Sequence, residues 1–169
     1  MPASVSIDLA ALHHAREMLL GQGLAVLAAW VLLNLLASGY RLAHADRRYE
    51  PYYFHGMNVA WAFINAALAL WGIWHLQLTA PAGLRLAGLV QAQLFNENLF
   101  ILNAGLDVAY VVTGYYLRAR ARVPGHPLPA RLLGFGRSLW LQGGFLLVFD
   151  VAMWGLLHSQ GRGWLSLIG

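Results

Sequence analysis

Four stretches of this chain are apolar for long enough to cross a lipid bilayer, and nothing else in the sequence constrains the fold as strongly. They cover residues 18–40, 56–76, 95–117 and 132–157. A spanning helix needs about 20 predominantly apolar residues. None of the four alternates with period two, and each is longer than an ordinary strand. Composition agrees: 59% of residues are hydrophobic and 11% charged, against about 25% charged in a soluble domain. A soluble chain of 169 residues cannot hide that much apolar surface. The expected fold is all-α: one integral-membrane four-helix bundle over residues 1–169, running up-down-up-down. Ahead of the first run, residues 6–20 read as a short amphipathic helix. Ser6 is its N-cap, Asp8 sits in its first turn, and Ile7, Ala11, His14 and Met18 share a face. It lies in the interface or extends the first span, with Gly21 and Gly23 as a candidate bend.

Arginine placement predicts the orientation. Arg41, Arg47 and Arg48 lie between runs one and two. Arg118, Arg120, Arg122 and Arg131 lie between runs three and four, with Arg137 just inside the fourth. Only Arg16, Arg85 and Arg162 fall on the other side. The positive-inside rule makes the two arginine-rich loops cytoplasmic and puts both termini outside, in the periplasm of a bacterium, the protein being multi-pass in the inner membrane. Trp71, Trp74 and Trp164 suit an aromatic belt on the outer side. Tyr40, Tyr52, Tyr53, Tyr115 and Tyr116 suit one on the inner side. Ser38-Gly39-Tyr40-Arg41-Leu42 and Thr113-Gly114-Tyr115-Tyr116-Leu117 echo one another, as two parallel hairpin repeats would.

The same counts exclude several chemistries. All eleven Lys and Arg residues are arginine. Without lysine there is no Schiff base to retinal or pyridoxal phosphate and no Walker-type phosphate loop. Without cysteine there is no disulfide, thiolate metal site, iron–sulfur cluster or covalently held haem. The arginines sit between apolar runs and are not interleaved with aromatics on a soluble face, so nucleic acid is not the expected partner. The lipid bilayer is.

Polar residues inside the runs recur at heptad-like intervals. Asn58, Asn65 and Gly72 are seven apart. Asn96, Asn103, Asp107, Tyr110 and Gly114 follow a 7-4-3-4 spacing. Gly136, Gly143 and Asp150 are again seven apart, with Gln142 beside them, and Asn34, Ser38 and Arg41 follow 4-3. Each set occupies one helix face. Four polar stripes in a bilayer are expected to face inward and leave apolar surface to lipid. At about 1.5 Å per residue, Asn65 and Asp107 fall near mid-depth. Asn103 and Asp150 fall in the outer half, and Asn34, Gln142 and Tyr110 in the inner half. Glu97, His75 and His158 sit at the outer mouth, and Asn58, His55, Arg41 and Arg137 at the inner. A carboxylate at the centre of a span costs about 2.5–3.5 kcal/mol. Asp107 and Asp150 therefore need a proton, amide partners or a cation. Interhelical amide bonds alone, worth about 0.6–2 kcal/mol each, would also account for much of this seam.

Other features point less sharply. His75 and His158 close two runs on one side and are weak candidates for haem or metal. Together with His13, His14 and Glu97 they match no standard ligand spacing. Gly105, Ala109 and Thr113 form a small-residue stripe roughly opposite Asp107, suited to packing against a neighbouring helix or a second copy of the chain. No nucleophile elbow, His-Glu-x-x-His or dinucleotide fingerprint is present, so an enzyme is not the favoured reading, and no cofactor is indicated.

The segments Phe54-His-Gly-Met-Asn58, Phe100-Ile-Leu-Asn-Ala-Gly-Leu-Asp-Val-Ala-Tyr110 and Leu141-Gln-Gly-Gly-Phe-Leu-Leu-Val-Phe-Asp150 resemble an uncharacterised family of small bacterial four-span membrane proteins. The resemblance covers runs two to four and implies no activity. The residues themselves suggest a buried acidic seam that binds or conducts a small polar species, a proton or a cation. Asp107, Asp150, Asn103, Asn65, Asn58, Asn34, Gln142, Tyr110 and Glu97 would line it. The alternatives are a structural or accessory subunit of a larger membrane complex, and a lipid-, quinone- or pigment-binding membrane protein.

Overall fold

A computed structural model describes residues 8–165, the last two as backbone only. It contains four helices: α1 (Leu9–His44), α2 (Glu50–His75), α3 (Leu86–Ala121) and α4 (Pro129–Leu165). Among the described residues there is no strand. All four helices are long and apolar enough to cross a membrane. At about 1.5 Å per residue, the 36 residues of α1 reach well beyond a hydrocarbon layer of about 30 Å.

Each helix starts and stops for a local reason. The Asp8 carboxylate accepts hydrogen bonds from the Ala10 and Ala11 backbone N–H groups at 3.0 and 3.1 Å, so Asp8 is the N-cap of α1 and not a first-turn residue. Ser6 and Ile7 lie outside the described residues. Of the two expectations for the amphipathic stretch, it extends the first span: it is the beginning of α1, which runs unbroken through Gly21 and Gly23, so the candidate bend is absent. Its inward face here is the polar one: His13, Arg16 and Glu17 are buried, while Ala11, His14 and Met18 are exposed. The turn between α1 and α2 is held by Asp46, whose carboxylate accepts from the Arg48 N–H at 2.9 Å, and Pro51 opens α2. The other two loops turn at Gly83 and Gly125, with φ of +75° and +76°, values that glycine adopts without a steric penalty.

The helices pack unequally. α3 and α4 are pressed together at glycines. A Cβ on Gly114 would lie 2.7 Å from the Gly136 carbonyl oxygen, and a Cβ on Gly136 would lie 2.7 Å from that of Gly114. Gly143 fits against the Asp107 carbonyl in the same way, at 3.1 Å from an ideal Cβ. α4 meets α2 near the arginine-rich loops, where Gly134 fits against the backbone of Glu50 and Phe54. α1 rests along α2, with Leu24 seated on Gly72. No Cα of α2 comes within 8 Å of any Cα of α3. Those two helices are joined by side chains: the Trp61 and Tyr110 rings meet edge to face, with centroids 4.9 Å apart. The small core around this pair contains Leu27, Ala69, Leu139 and Leu146.

Much of the rest of the surface is apolar. Leu36 is 74% exposed and Val148 71%, which suits a lipid surround and no aqueous one. The Gly105, Ala109 and Thr113 stripe is part of this outer surface, and a Cβ on Gly105 would meet nothing within 4 Å. The echo between Gly39 and Gly114 is not matched in packing either. A Cβ on Gly39 would meet nothing within 4 Å, while Gly114 is locked against α4.

A candidate ligand site between the second and third helices

The polar residues of the four helices do not form one continuous seam. They divide at the Trp61–Tyr110 pair into a closed cluster toward the arginine-rich loops and an open cavity toward the termini.

The closed cluster is organised by Gln142 on α4. Its Nε2 donates to Asn34 Oδ1 of α1 at 2.8 Å and to Asn58 Oδ1 of α2 at 3.0 Å. Its Oε1 accepts from the Trp30 indole N–H at 2.9 Å. Ser138, one turn earlier on α4, donates to the same Asn58 oxygen at 2.6 Å. Asn34 Nδ2 donates back to the Trp30 carbonyl at 2.8 Å. Gln142, Asn58 and Ser138 are at most 1% exposed. In an interior of low dielectric a satisfied network of this kind fixes the relative positions of its helices. Ser38 and His55 extend it toward the loops, 3.2 Å apart.

The open side is a cavity of about 590 Å³ whose walls come from all four helices. Its sides are aliphatic and aromatic, with Leu20, Leu24, Ile64, Leu68, Phe100 and Met153 among them. Its polar groups are Asn65 from α2, Asn96, Asn103 and Asp107 from α3, and Asp150 from α4, with Glu17 and His75 toward the terminal end. Asp107 and Asp150 are 3% and 5% exposed, and both carboxyl groups belong to the lining of this one cavity. Three buried polar atoms of the lining have no hydrogen-bond partner: Asp107 Oδ2, Asn65 Nδ2 and the Trp61 indole Nε1. Buried polar atoms are nearly always partnered, so three orphans on one cavity point to a bound group. Two are donors and one is a carboxyl oxygen, which specifies what that group must offer in return.

The terminal end is held by a cluster that the sequence reading missed. The Arg16 guanidinium pairs with Glu17 at 2.8 Å and donates to His13 Nδ1 at 3.3 Å and to the Leu89 carbonyl on α3. Glu17 Oε2 accepts from the Gln77 N–H at 2.7 Å, and His13 Nε2 donates to the Gln77 carbonyl at 2.7 Å. The arrangement staples α1 to the loop after α2 and to the start of α3. The i, i+3, i+4 spacing of His13, Arg16 and Glu17 was its sequence signal.

Glu97 is drawn away from the cavity. It accepts from Gln93 at 2.9 Å and pairs with His158 on α4 at 3.0 Å. His75 hydrogen-bonds to the Trp71 carbonyl at 2.9 Å, so the two histidines have separate partners. His13 and His14 are likewise engaged with loop carbonyls. Among the described residues no three His, Asp or Glu side chains gather as a metal site would need. Of the two expected inner-mouth arginines, Arg137 pairs with Glu50 and Arg41 is exposed.

The fold and this cavity together define a protein whose described residues form four helices able to cross a membrane, with a largely apolar cavity among them that carries a polar floor. Residues 26–151 match DUF6992, a family of unknown function, and the chain belongs to that family. The match takes in the second half of α1, all of α2 and α3, and α4 as far as Val151, so it includes both aspartates but ends before His158. No curated protein and no solved structure matches the chain.

Proposed function

We propose that this is a multi-pass protein of a bacterial inner membrane, running up-down-up-down with both termini outside, that binds a small molecule through Asp107 and Asp150. The observation that carries this reading is the buried carboxyl pair, set with three unpartnered polar atoms on one cavity. A carboxyl pair at that depth is costly unless it serves a ligand or is neutralised. A cationic or hydrogen-bond-donating group would satisfy Asp107 Oδ2, and an acceptor beside it would satisfy Asn65 and Trp61.

Binding is favoured over passage because the polar residues on the arginine-rich side are bonded to one another and the Trp61–Tyr110 pair stands between the two regions. The test uses the protein in lipid nanodiscs and monodansylcadaverine, a fluorescent primary amine. Binding should exceed that of protein-free nanodiscs and fall about tenfold or more in Asp107→Asn and Asp150→Asn, the loss expected when a charged hydrogen-bond partner is removed. Equal signals from both variants and the parent would end the reading. In proteoliposomes, a proton or cation flux abolished by Asp107→Asn would replace binding by conduction.

A further inference from the structure

The geometry points to a lipid-soluble amine as the ligand: one protonated or hydrogen-bond-donating nitrogen head with an adjacent acceptor, on a single apolar tail, taken up sideways from the membrane between α2 and α3. This rests on the binding site proposed above and adds the class of molecule and its route.

The route follows from which walls are sealed. Toward the termini, Glu17 is bonded to the Gln77 backbone and Arg16 to the Leu89 carbonyl, so the loop after α2 and the start of α3 are tied over that end. Toward the arginine-rich loops, the Gln142 cluster and the Trp61–Tyr110 pair fill the interior. α3 and α4 are locked at Gly114, Gly136 and Gly143. The remaining side is the one where the backbones of α2 and α3 never approach. Ile64, Leu68 and Trp71 on α2, and Phe95 and Leu106 on α3, line the cavity and yet are 47–60% exposed on the outside of the bundle. A side chain bordering both spaces marks an edge of an opening. These five edge side chains are apolar, with His75 exposed at the terminal end of the same wall, and the opening faces the surface that suits lipid.

The class of ligand follows from the contrast between wall and floor. Aliphatic and aromatic walls take an alkyl or aryl body. The floor holds a carboxyl pair with a free oxygen beside two free donors. An amine satisfies the first and a neighbouring hydroxyl or carbonyl the second, whereas a carboxylate or phosphate head would place like charges together. A second groove, between α1 and α4, is lined by apolar side chains and Gln22; it has no charged group to select a head.

The test is competition against monodansylcadaverine in nanodiscs, with each competitor's concentration expressed per lipid. Tetradecylamine should compete at least about tenfold better than butylamine, because the tail is buried too, and tetradecanoate should fail. Ile64→Trp and Leu106→Trp, each narrowing the opening, should slow tetradecylamine uptake several-fold more than butylamine uptake. Either substitution suffices if the other does not fold. Equal competition by the two amines, or by tetradecanoate, would overturn the inference and leave the acid-pair site standing. Uptake rates unchanged in both tryptophan variants would overturn the lateral route. Failure of the probe to bind at all would sink the proposed function itself.

Discussion

The two halves of this bundle are built from the same kinds of residue and reach opposite states. Toward the arginine-rich loops, two asparagines, a glutamine, a serine and a tryptophan donate and accept among themselves across three helices. Toward the termini, three asparagines, a tryptophan and two aspartates share one cavity, and three of their atoms go without partners. The difference is made by the backbone. On the first side Gly134 draws α4 against α2, so short amide side chains reach across. On the second side the α2 and α3 backbones stay apart, and the same side chains end at open space. Polar residues in a membrane interior thus act as glue or as a site according to whether small residues let the helices close.

The strongest way to break this comparison is to push the closed side open. Gly114→Leu places a side chain where even a Cβ would sit 2.7 Å from the Gly136 carbonyl and 2.9 Å from the Trp140 nitrogen. It should cost about 3 kcal/mol or more and prevent a monodisperse folded protein, whereas Gly105→Leu should leave thermal unfolding in nanodiscs unchanged. Next in size is the terminal staple. Glu17→Ala strands a buried Arg16, a loss of about 3–5 kcal/mol for such pairs. The expected readout is faster hydrogen exchange in the loop at residues 76–85, with α3 and α4 unaffected near Gly114. Gln142→Leu should then cost about 1–3 kcal/mol, since it leaves Asn34 Oδ1 and the Trp30 indole N–H without partners. Thermal unfolding in nanodiscs checks it. The smallest effect on stability belongs to the open side. Asp107→Asn should destabilise the protein less than Gln142→Leu does, because Asp107 Oδ2 has no partner to lose, while probe binding falls about tenfold or more. If Asp107→Asn destabilised the protein as much as Gln142→Leu, the two halves would not differ in kind.

These contrasts follow how far the chain could be read without coordinates. The helices were legible because apolar length is a local property; α2 was found from its apolar run alone, although it begins six residues earlier, at Glu50. Membership of a shared interior was legible for Asn34, Asn58, Asn65, Asp107, Gln142 and Asp150, whose spacing puts them on inward faces, and each is buried. What spacing does not carry is which neighbour a face meets. It placed Glu97 with the seam, although Gln93 and His158 hold it to one side. It also passed over Trp30, Trp61 and Ser138. Each lies four residues from a polar residue that was picked out, so an i, i+4 search would have found them. The division of the seam depends on the distance between α2 and α3, and no local pattern encodes that.

The side opening between α2 and α3 also governs how the protein must be handled. Any detergent that extracts it is itself an apolar chain with a polar head, present in large excess, and can slide into the same slot. Cationic and zwitterionic detergents would compete hardest for the acid pair, while anionic ones would be turned away by it. Extraction directly into polymer-bounded native membrane patches avoids that displacement and carries the natural occupant through purification.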